Sequence, residues 1–402
     1  MKSKKILISG ASITGPTLAY WLNRYGFEVI VVEKSAELRL GGQNIDVKGP
    51  AKAVAQKMGI VEEIRSLNTT EAGIKFVDAS DRMLAEFPKG DSMSMTQELE
   101  ILRGDLVKTL YNHTKDDVSY RFGDHITSLA QTGDVVNVGF ASGKKERFDL
   151  VISTEGIGSN TRKLAIDSQV KFKYLGLHTA YLTIPKTATD GQWARWHNAP
   201  SGIVFMLRPD NYGETRASVT FLADEDQYRD LNIEEQKKAL IQRITGAGWQ
   251  SDRIIEGIGQ TKDLYFDRVS QVKASSWSAG RVAIAGDAAW CATPIAGKGT
   301  DLAMAGAYIL AGELFKADHH EQAFEAYEKK MRAYVEACQK LPPGIPGLVY
   351  PTSKFGVAVL NQLVSAVGSK PVKWLIGLFT GSSKSAKDEI ELPDYMKQKA
   401  SD

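Results

Sequence analysis

Cysteine is nearly missing from this chain: 402 residues carry two, Cys291 and Cys338. Without a CxxC pair or metal-ligand spacing they exclude a disulfide framework and a zinc module, and they fit a reducing, cytoplasmic setting as buried packing residues. Histidine is also scarce, six in all, and His319-His320 is expected in an exposed turn between helices. No apolar run approaches the roughly 18 residues of a membrane span. Lys4-Lys5 precede an apolar stretch, but Gly10, Ser12, Thr14 and Gly15 interrupt it too early for a secretory signal core. Charge of one sign is lacking too: a formal net charge of +2 offers no footprint for nucleic acid. There is no internal repeat and no low-complexity linker, so two regions in a chain this long are expected to interleave.

Two glycine-rich turns stand out against this background. Ile6-Leu7-Ile8-Ser9 reads as a short strand, Gly10-Ala11-Ser12-Ile13-Thr14-Gly15 as a tight turn, and Pro16 to Tyr25 as a helix ending at Gly26. Strand, turn and helix in that order aim a helix N-terminus at a pyrophosphate. Val29 to Val32 then read as a second strand ending at Glu33, about 20 residues on, where a carboxylate accepts hydrogen bonds from an adenosine ribose. Ser12 replaces the middle glycine of the usual motif, and its Cβ crowds the closest approach to phosphate.

The second turn lies far along the chain. Arg281 to Ala285 read as a buried strand, and Gly286-Asp287 places a carboxylate at its carboxyl end, where ligands of open α/β sheets gather. Pro294 and Gly297-Lys298-Gly299 lead into a small-residue helix, Thr300 to Phe315, whose first amides face whatever lies before them. One extended ligand held at both ends, FAD, accounts for both turns.

With these residues quoted, the chain resembles the group A flavoprotein monooxygenases, the single-component aromatic hydroxylases. Four motifs carry the resemblance over roughly residues 5 to 340: the first glycine turn with Glu33-Lys34, Arg103-Gly104-Asp105-Leu106, Glu155 to Arg162, and Gly286-Asp287 with Pro294 and Gly297 to Gly299. Gly41 to Val47 and Leu392-Pro393-Asp394-Tyr395 look most like the tetracycline-inactivating branch. The resemblance implies an α/β fold: a Rossmann-like FAD-binding domain (1–72, 98–171, 269–340), interleaved with a mixed-sheet α+β substrate domain (73–97, 172–268) and bridged by a C-terminal helical segment (341–402). It implies that NADPH or NADH reduces FAD and that one oxygen atom from O2 passes, through a flavin C4a-hydroperoxide, to an aromatic or polycyclic small molecule, a tetracycline being the favoured candidate. Gly10, Ser12, Gly15, Glu33, Lys34, Gln43, Asp46, Arg103, Gly286, Asp287, Pro294, Gly297, Lys298 and Gly299 are the cofactor residues it implies. Arg103 has an alternative as a structural partner of a nearby carboxylate.

Four residues depart from the family pattern: Glu155 for Asp, Trp290 for His, Lys298 for Gln and Asp301 for Asn. Glu155 reads more readily as a cap of the following helix than as a cofactor contact. Lys298 either adds positive charge beside the flavin or points to solvent. No catalytic acid or base emerges, since the flavin carries the chemistry. His178, His197 and Phe205, in an aromatic-rich region of expected strands at 180–184, 203–207 and 216–221, are the candidate substrate contacts. A helix is expected over Ile233 to Ile244, a hairpin over 73–87, and an amphipathic helix over Phe355 to Val367, followed by an apolar stretch from Val372 to Phe379. A flavin halogenase or reductase is a rival reading, but Trp193-Ala194-Arg195-Trp196 does not complete the halogenase signature. A second rival is an FAD-containing binder with little turnover. A monomer or weak homodimer is expected.

Overall fold

The computed structural model describes residues 4–91, 94, 96–166, 170–293, 296–341, 344–368 and 390–399. Its N-terminal unit is the expected strand Lys5–Ser9, glycine turn and helix Thr14–Arg24. Lys5–Ser9 pairs in parallel with Glu28–Glu33 on one side and Leu150–Ser153 on the other. Ser119–Phe122 and Val282–Ile284 extend the sheet, and Ser278–Ala279 adds an antiparallel edge to make six strands. Side chains alternate across a strand, so a sheet covered on both sides needs apolar residues at consecutive positions. Ile6, Ile8, Val29 and Val31 join the core beneath helices Thr14–Arg24 and Gly299–Lys316. Leu7, Ile30, Val32 and Val151 face the other way, onto an antiparallel meander of Ile126–Thr132, Val135–Phe140 and Lys145–Phe148.

Helix Gly299–Lys316 is buried along most of its length because small residues line it. A Cβ at Gly306 would come within 2.7 Å of the Trp290 ring. Trp290 in turn packs on Trp277 and Tyr327, with ring centroids 4.4 and 5.7 Å away. The tryptophan in place of the family's histidine is therefore core.

The second region is a seven-stranded sheet in the order Tyr265–Ala274, Val170–Pro185, Glu214–Leu222, Ile203–Pro209, Ala194–Ala199, Gly73–Val77 and Met83–Pro88. The last two strands are the expected hairpin, which joins strands more than a hundred residues later in the chain. Tyr265–Ala274 runs through position 268/269, where the sequence-based division places a boundary. Alternation splits the residues of this sheet between two environments. Ala180, Leu182, Phe205, Val219 and Phe221 lie in a core with residues of helices Ile233–Ile244 and Ser251–Gln260. Tyr181, Met206, Arg208, Ser218, Thr220 and Tyr265 share the opposite face by register, and Arg208 there reaches Asn44 and Glu100 of the first region.

The C-terminal part touches both regions. Helix Lys354–Gly368 lies on strands Met83–Pro88 and Ala194–Ala199, with Val364 and Val367 against a core of Ile74, Ala85 and Phe87. Residues 390–399 return to helix Gly299–Lys316, where the Tyr395 ring lies over Gly312 and its hydroxyl donates to Glu313 at 2.6 Å. The expected apolar stretch from Val372 to Phe379 lies outside the described residues.

Candidate active site

The first turn is held from below and from the side. Gly10 N donates to Val32 O at 2.8 Å, and the Thr154 hydroxyl donates to the carbonyls of Ser9 and Gly10. Gly10 has φ +111°, open to glycine at low cost, and a side chain at Gly15 would overlap the Gly10 carbonyl. Glu33 folds back onto the turn, accepting from Ala11 N at 2.8 Å and Ser35 N at 3.0 Å. Lys34 beside it is exposed.

Arg103, the first residue of helix Arg103–Asn112, crosses to the same turn. Its guanidinium donates to Ser12 Oγ at 2.9 Å, Gly41 O at 2.8 Å and Arg39 O at 3.1 Å, and its amide donates to Gln43 O. These partners are carbonyls and a hydroxyl, so in place of a carboxylate pairing Arg103 tethers the first glycine turn to the loop of Arg39 to Gln43. Ser12, the departure from the glycine pattern, supplies one of its ends. Burial depresses the Arg103 pKa, with Arg39 acting in the same direction, while Asp287 and Glu33 oppose it.

The second turn packs directly on the first. Gly286 has φ +64°, and a Cβ there would overlap the Thr14 side chain. Asp287 follows at the start of a short helix and is raised by burial, despite a hydrogen bond with Cys291 and the nearby charge of Arg103. Its residue nevertheless keeps exposed surface. An exposed residue whose carboxyl is raised by burial lines a recess and not the outer surface. Tyr265 repeats the pattern: 43% exposed, with a hydroxyl pKa raised first by burial and then by charges that include Asp287. The cleft thus has Arg103 and Asp287 on one side and Tyr265 and Tyr181 of the seven-stranded sheet on the other.

Helix Gly299–Lys316 opens into the same region. Gly297 and Gly299 have nothing within 4 Å of an added Cβ. Lys298 Nζ sits 3.3 Å from Asp301 Oδ2, so the charge that seemed either flavin-facing or solvated has a carboxylate partner. Asp301 is 1% exposed, and burial pushes its carboxyl up to about 6 against the pull of Lys298 and Lys48. Asp301 Oδ1 and Thr293 Oγ1 are buried and unpartnered among the described residues. Open glycines, orphaned buried oxygens and a cleft-facing carboxyl fit an extended polar ligand such as FAD. Pro294 lies outside the described residues.

The Glu155 motif has a structural role. Glu155 accepts from Thr161 N and Oγ1, Ser159 Oγ and Ser9 Oγ, capping helix Asn160–Ala165 and tying it to the first strand. Fully buried Arg162 donates to Ala288 O at 2.8 Å and Ile157 O at 2.7 Å, stapling this motif to the Gly286-Asp287 turn. Asp46 accepts from Gln97 N at 3.0 Å, pairs with Lys48 at 3.7 Å, and is raised by burial.

Two expectations are corrected by the structure. His178, His197 and Phe205 lie on the helix-covered side of the sheet. Phe205 is fully buried, His197 Nδ1 is 3.1 Å from Val77 O with its ring on Trp249, and His178 packs among Phe221, Tyr228 and Phe266. His178 does border a cavity of about 510 Å³, but on that far side, with Arg229 and Arg268. One residue of register separates Phe205 from Met206, and alternation likewise puts Tyr181 on the opposite face of the sheet. His320 is 4% exposed at the start of helix His320–Cys338 and only His319 is exposed. Residues missed by sequence reasoning include Thr154 and the buried group Glu71, Glu100 and Arg208. A lone arginine at the end of the apolar run Ile203 to Leu207 was the available signal for the last.

Comparison with known proteins agrees with this geometry. Residues 3–340 match the family model described as an FAD binding domain. A flavin-dependent monooxygenase from Legionella longbeachae is 37% identical over 343 residues, covering 84% of this chain and 88% of the relative. Another, from an unknown prokaryotic organism, is 34% identical and covers 98% of this chain and 99% of its own. Among solved structures, tetracycline destructase Tet(51) aligns with a TM-score of 0.81 at 32% identity, over 98% of this chain and all of that one. The chain belongs to the FAD-binding-domain family and, within it, to the FAD-dependent monooxygenases.

Proposed function

We propose that the protein takes reducing equivalents from NADPH or NADH and inserts one oxygen atom from O2 into a flat, polycyclic, phenolic molecule, with a tetracycline the leading candidate. The observation that carries this is the cleft. It brings Arg103, tethered to the first glycine turn, and Asp287 of the second opposite Tyr181 and Tyr265 of the seven-stranded sheet. Likeness to a tetracycline destructase along the whole chain supports the choice of substrate. In this reading Glu33 takes the adenosine ribose, Arg103 the phosphates and Asp287 the ribityl hydroxyls. The amides opening helix Gly299–Lys316, at the positive end of its dipole, hold the negative charge of the reduced ring. Bound FAD supplies electron storage and oxygen activation, while the chain orients substrate and excludes water. Polar groups at Ser218 and Thr220 between the aromatic rings orient an oxygenated polycycle.

The test is NADPH oxidation in air by the purified flavoprotein, with and without a tetracycline, followed by the mass of the product. Stimulated oxidation with a gain of one oxygen atom is expected. Oxidation without a mass change discards the tetracycline, and no oxidation under either condition favours a binder. Asp287→Ala should purify with at least about tenfold less FAD, the loss of a charge-assisted contact.

A further inference from the structure

One buried ionic cluster has no part in that scheme. Arg208, near the end of strand Ile203–Pro209, donates to Glu71 through Nε at 2.8 Å and Nη2 at 2.9 Å, and to Glu100 through Nη2. Its Nη1 reaches Asn44 O at 3.3 Å. The Thr69 and Thr96 hydroxyls donate to Glu100 and Glu71, and Asn44 Nδ2 to Glu100 at 3.2 Å. Neither carboxylate has any exposed side-chain surface, and Arg208 has 11%. Three segments distant in sequence meet here: the seven-stranded sheet, the chain before its hairpin, and the ribbon of Asn44–Asp46 with Glu100–Leu102. That ribbon carries Asp46 and runs without a break into Arg103.

The charge does not balance. Two fully buried carboxylates share one guanidinium, and an uncompensated buried charge is resolved most cheaply by protonation. Asp46 adds further negative charge on the same side, partly met by Lys48. We propose that Arg208, Glu71 and Glu100 form a positioning cluster that fixes the Asp46–Arg103 ribbon against the substrate sheet, with Glu100 holding a proton, and thereby links FAD affinity to pH. Burial supports this by pushing the Glu100 carboxyl up to about 7, with Arg208 pulling it down and Glu71 and Asp46 pushing it further up.

The sign follows from linkage. The inference rests on FAD occupying the cleft beside Arg103. The cofactor's pyrophosphate brings negative charge, which raises the cluster's proton affinity, so binding takes up protons and weakens as pH rises through the cluster's titration. Asp301 titrates lower, at about 6, and is separated from this effect by comparing wild type with a Glu100 variant.

The experiment is dilution of the holoprotein with release of FAD followed by flavin fluorescence, between about pH 6.5 and about pH 8.5. The wild-type FAD dissociation constant is expected to rise at least about threefold, and that of Glu100→Gln to stay flat. Arg208→Lys should retain FAD better than Arg208→Met. Should Glu100→Gln fail to fold, calorimetry in buffers of different ionisation enthalpy should find a fraction of a proton taken up per FAD by the wild type near neutral pH. A pH-independent wild type, unchanged pH dependence in Glu100→Gln, or zero proton uptake overturns the proposal. Failure of the wild type to bind FAD at all overturns the cofactor reading instead.

Discussion

Asp301 shows how one substitution at a family position changes the local physics. A carboxylate at the first turn of a helix gains from the dipole, yet this one is almost fully enclosed, and desolvation outweighs its pairing with Lys298. A carboxyl raised to about 6 in the fold favours the native state most below its unfolded range, and that contribution is lost as pH climbs from about 4 through 6. Asp301→Asn should therefore flatten the stability profile across this window, by on the order of 3 kcal/mol at most. Thermal melts of the apoprotein at a series of pH values check it, and an unchanged profile would place the titration elsewhere. The same pairing bears on Lys298, whose charge is offset by Asp301 once that carboxyl ionises.

At the level of elements, the seven-stranded sheet is fastened at its rim by Asp190. This buried carboxylate receives Arg195 at 2.5 Å, Arg253 at 2.6 Å and the Thr215 hydroxyl at 2.8 Å, joining strands Ala194–Ala199 and Glu214–Leu222 to helix Ser251–Gln260. Burial alone would raise its pKa, but hydrogen bonds led by that from Arg253 bring it down to about 2. The stability it contributes is present above the ordinary Asp range and is lost as pH falls toward 2. Asp190→Asn leaves buried Arg195 with Asp81 alone and takes from half-buried Arg253 its carboxylate, and should cost about 3 kcal/mol, read as a lower urea midpoint with far-UV circular dichroism retained. Helix Ile233–Ile244 is the element most plainly written in local sequence. Asn232 and Glu235 form a reciprocal capping box at its start, and its bounds are those the apolar spacing predicts.

For the molecule as a whole, the cleft between the two regions is walled by groups that want a ligand, so removing FAD should loosen it more than it unfolds it. Adding FAD to the apoprotein at about 100 times its dissociation constant is expected to stabilise the fold by about 2.7 kcal/mol, seen as a concentration-dependent rise in Tm. An apoprotein whose Tm ignores added FAD would contradict the cofactor reading. The parallel sheet, both glycine turns and the mixed second sheet are legible in the chain, because consecutive apolar residues, positive-φ glycines and helix caps act over a few neighbours. The face presented by each strand of the second sheet is not. Phe205 and Met206 are adjacent and apolar, and only the packing of helices Ile233–Ile244 and Ser251–Gln260 on one side sends the phenylalanine into that core and the methionine to the opposite face, against Ile74, Ala85 and Phe87. Glu71, Glu100 and Arg208 acquire one another by the same route. Local sequence by itself determined the turns and elements of this monooxygenase, whereas the pairing of charges across more than a hundred residues was decided by tertiary structure, since burial, which makes such pairs obligatory, exists only once the sheets have met.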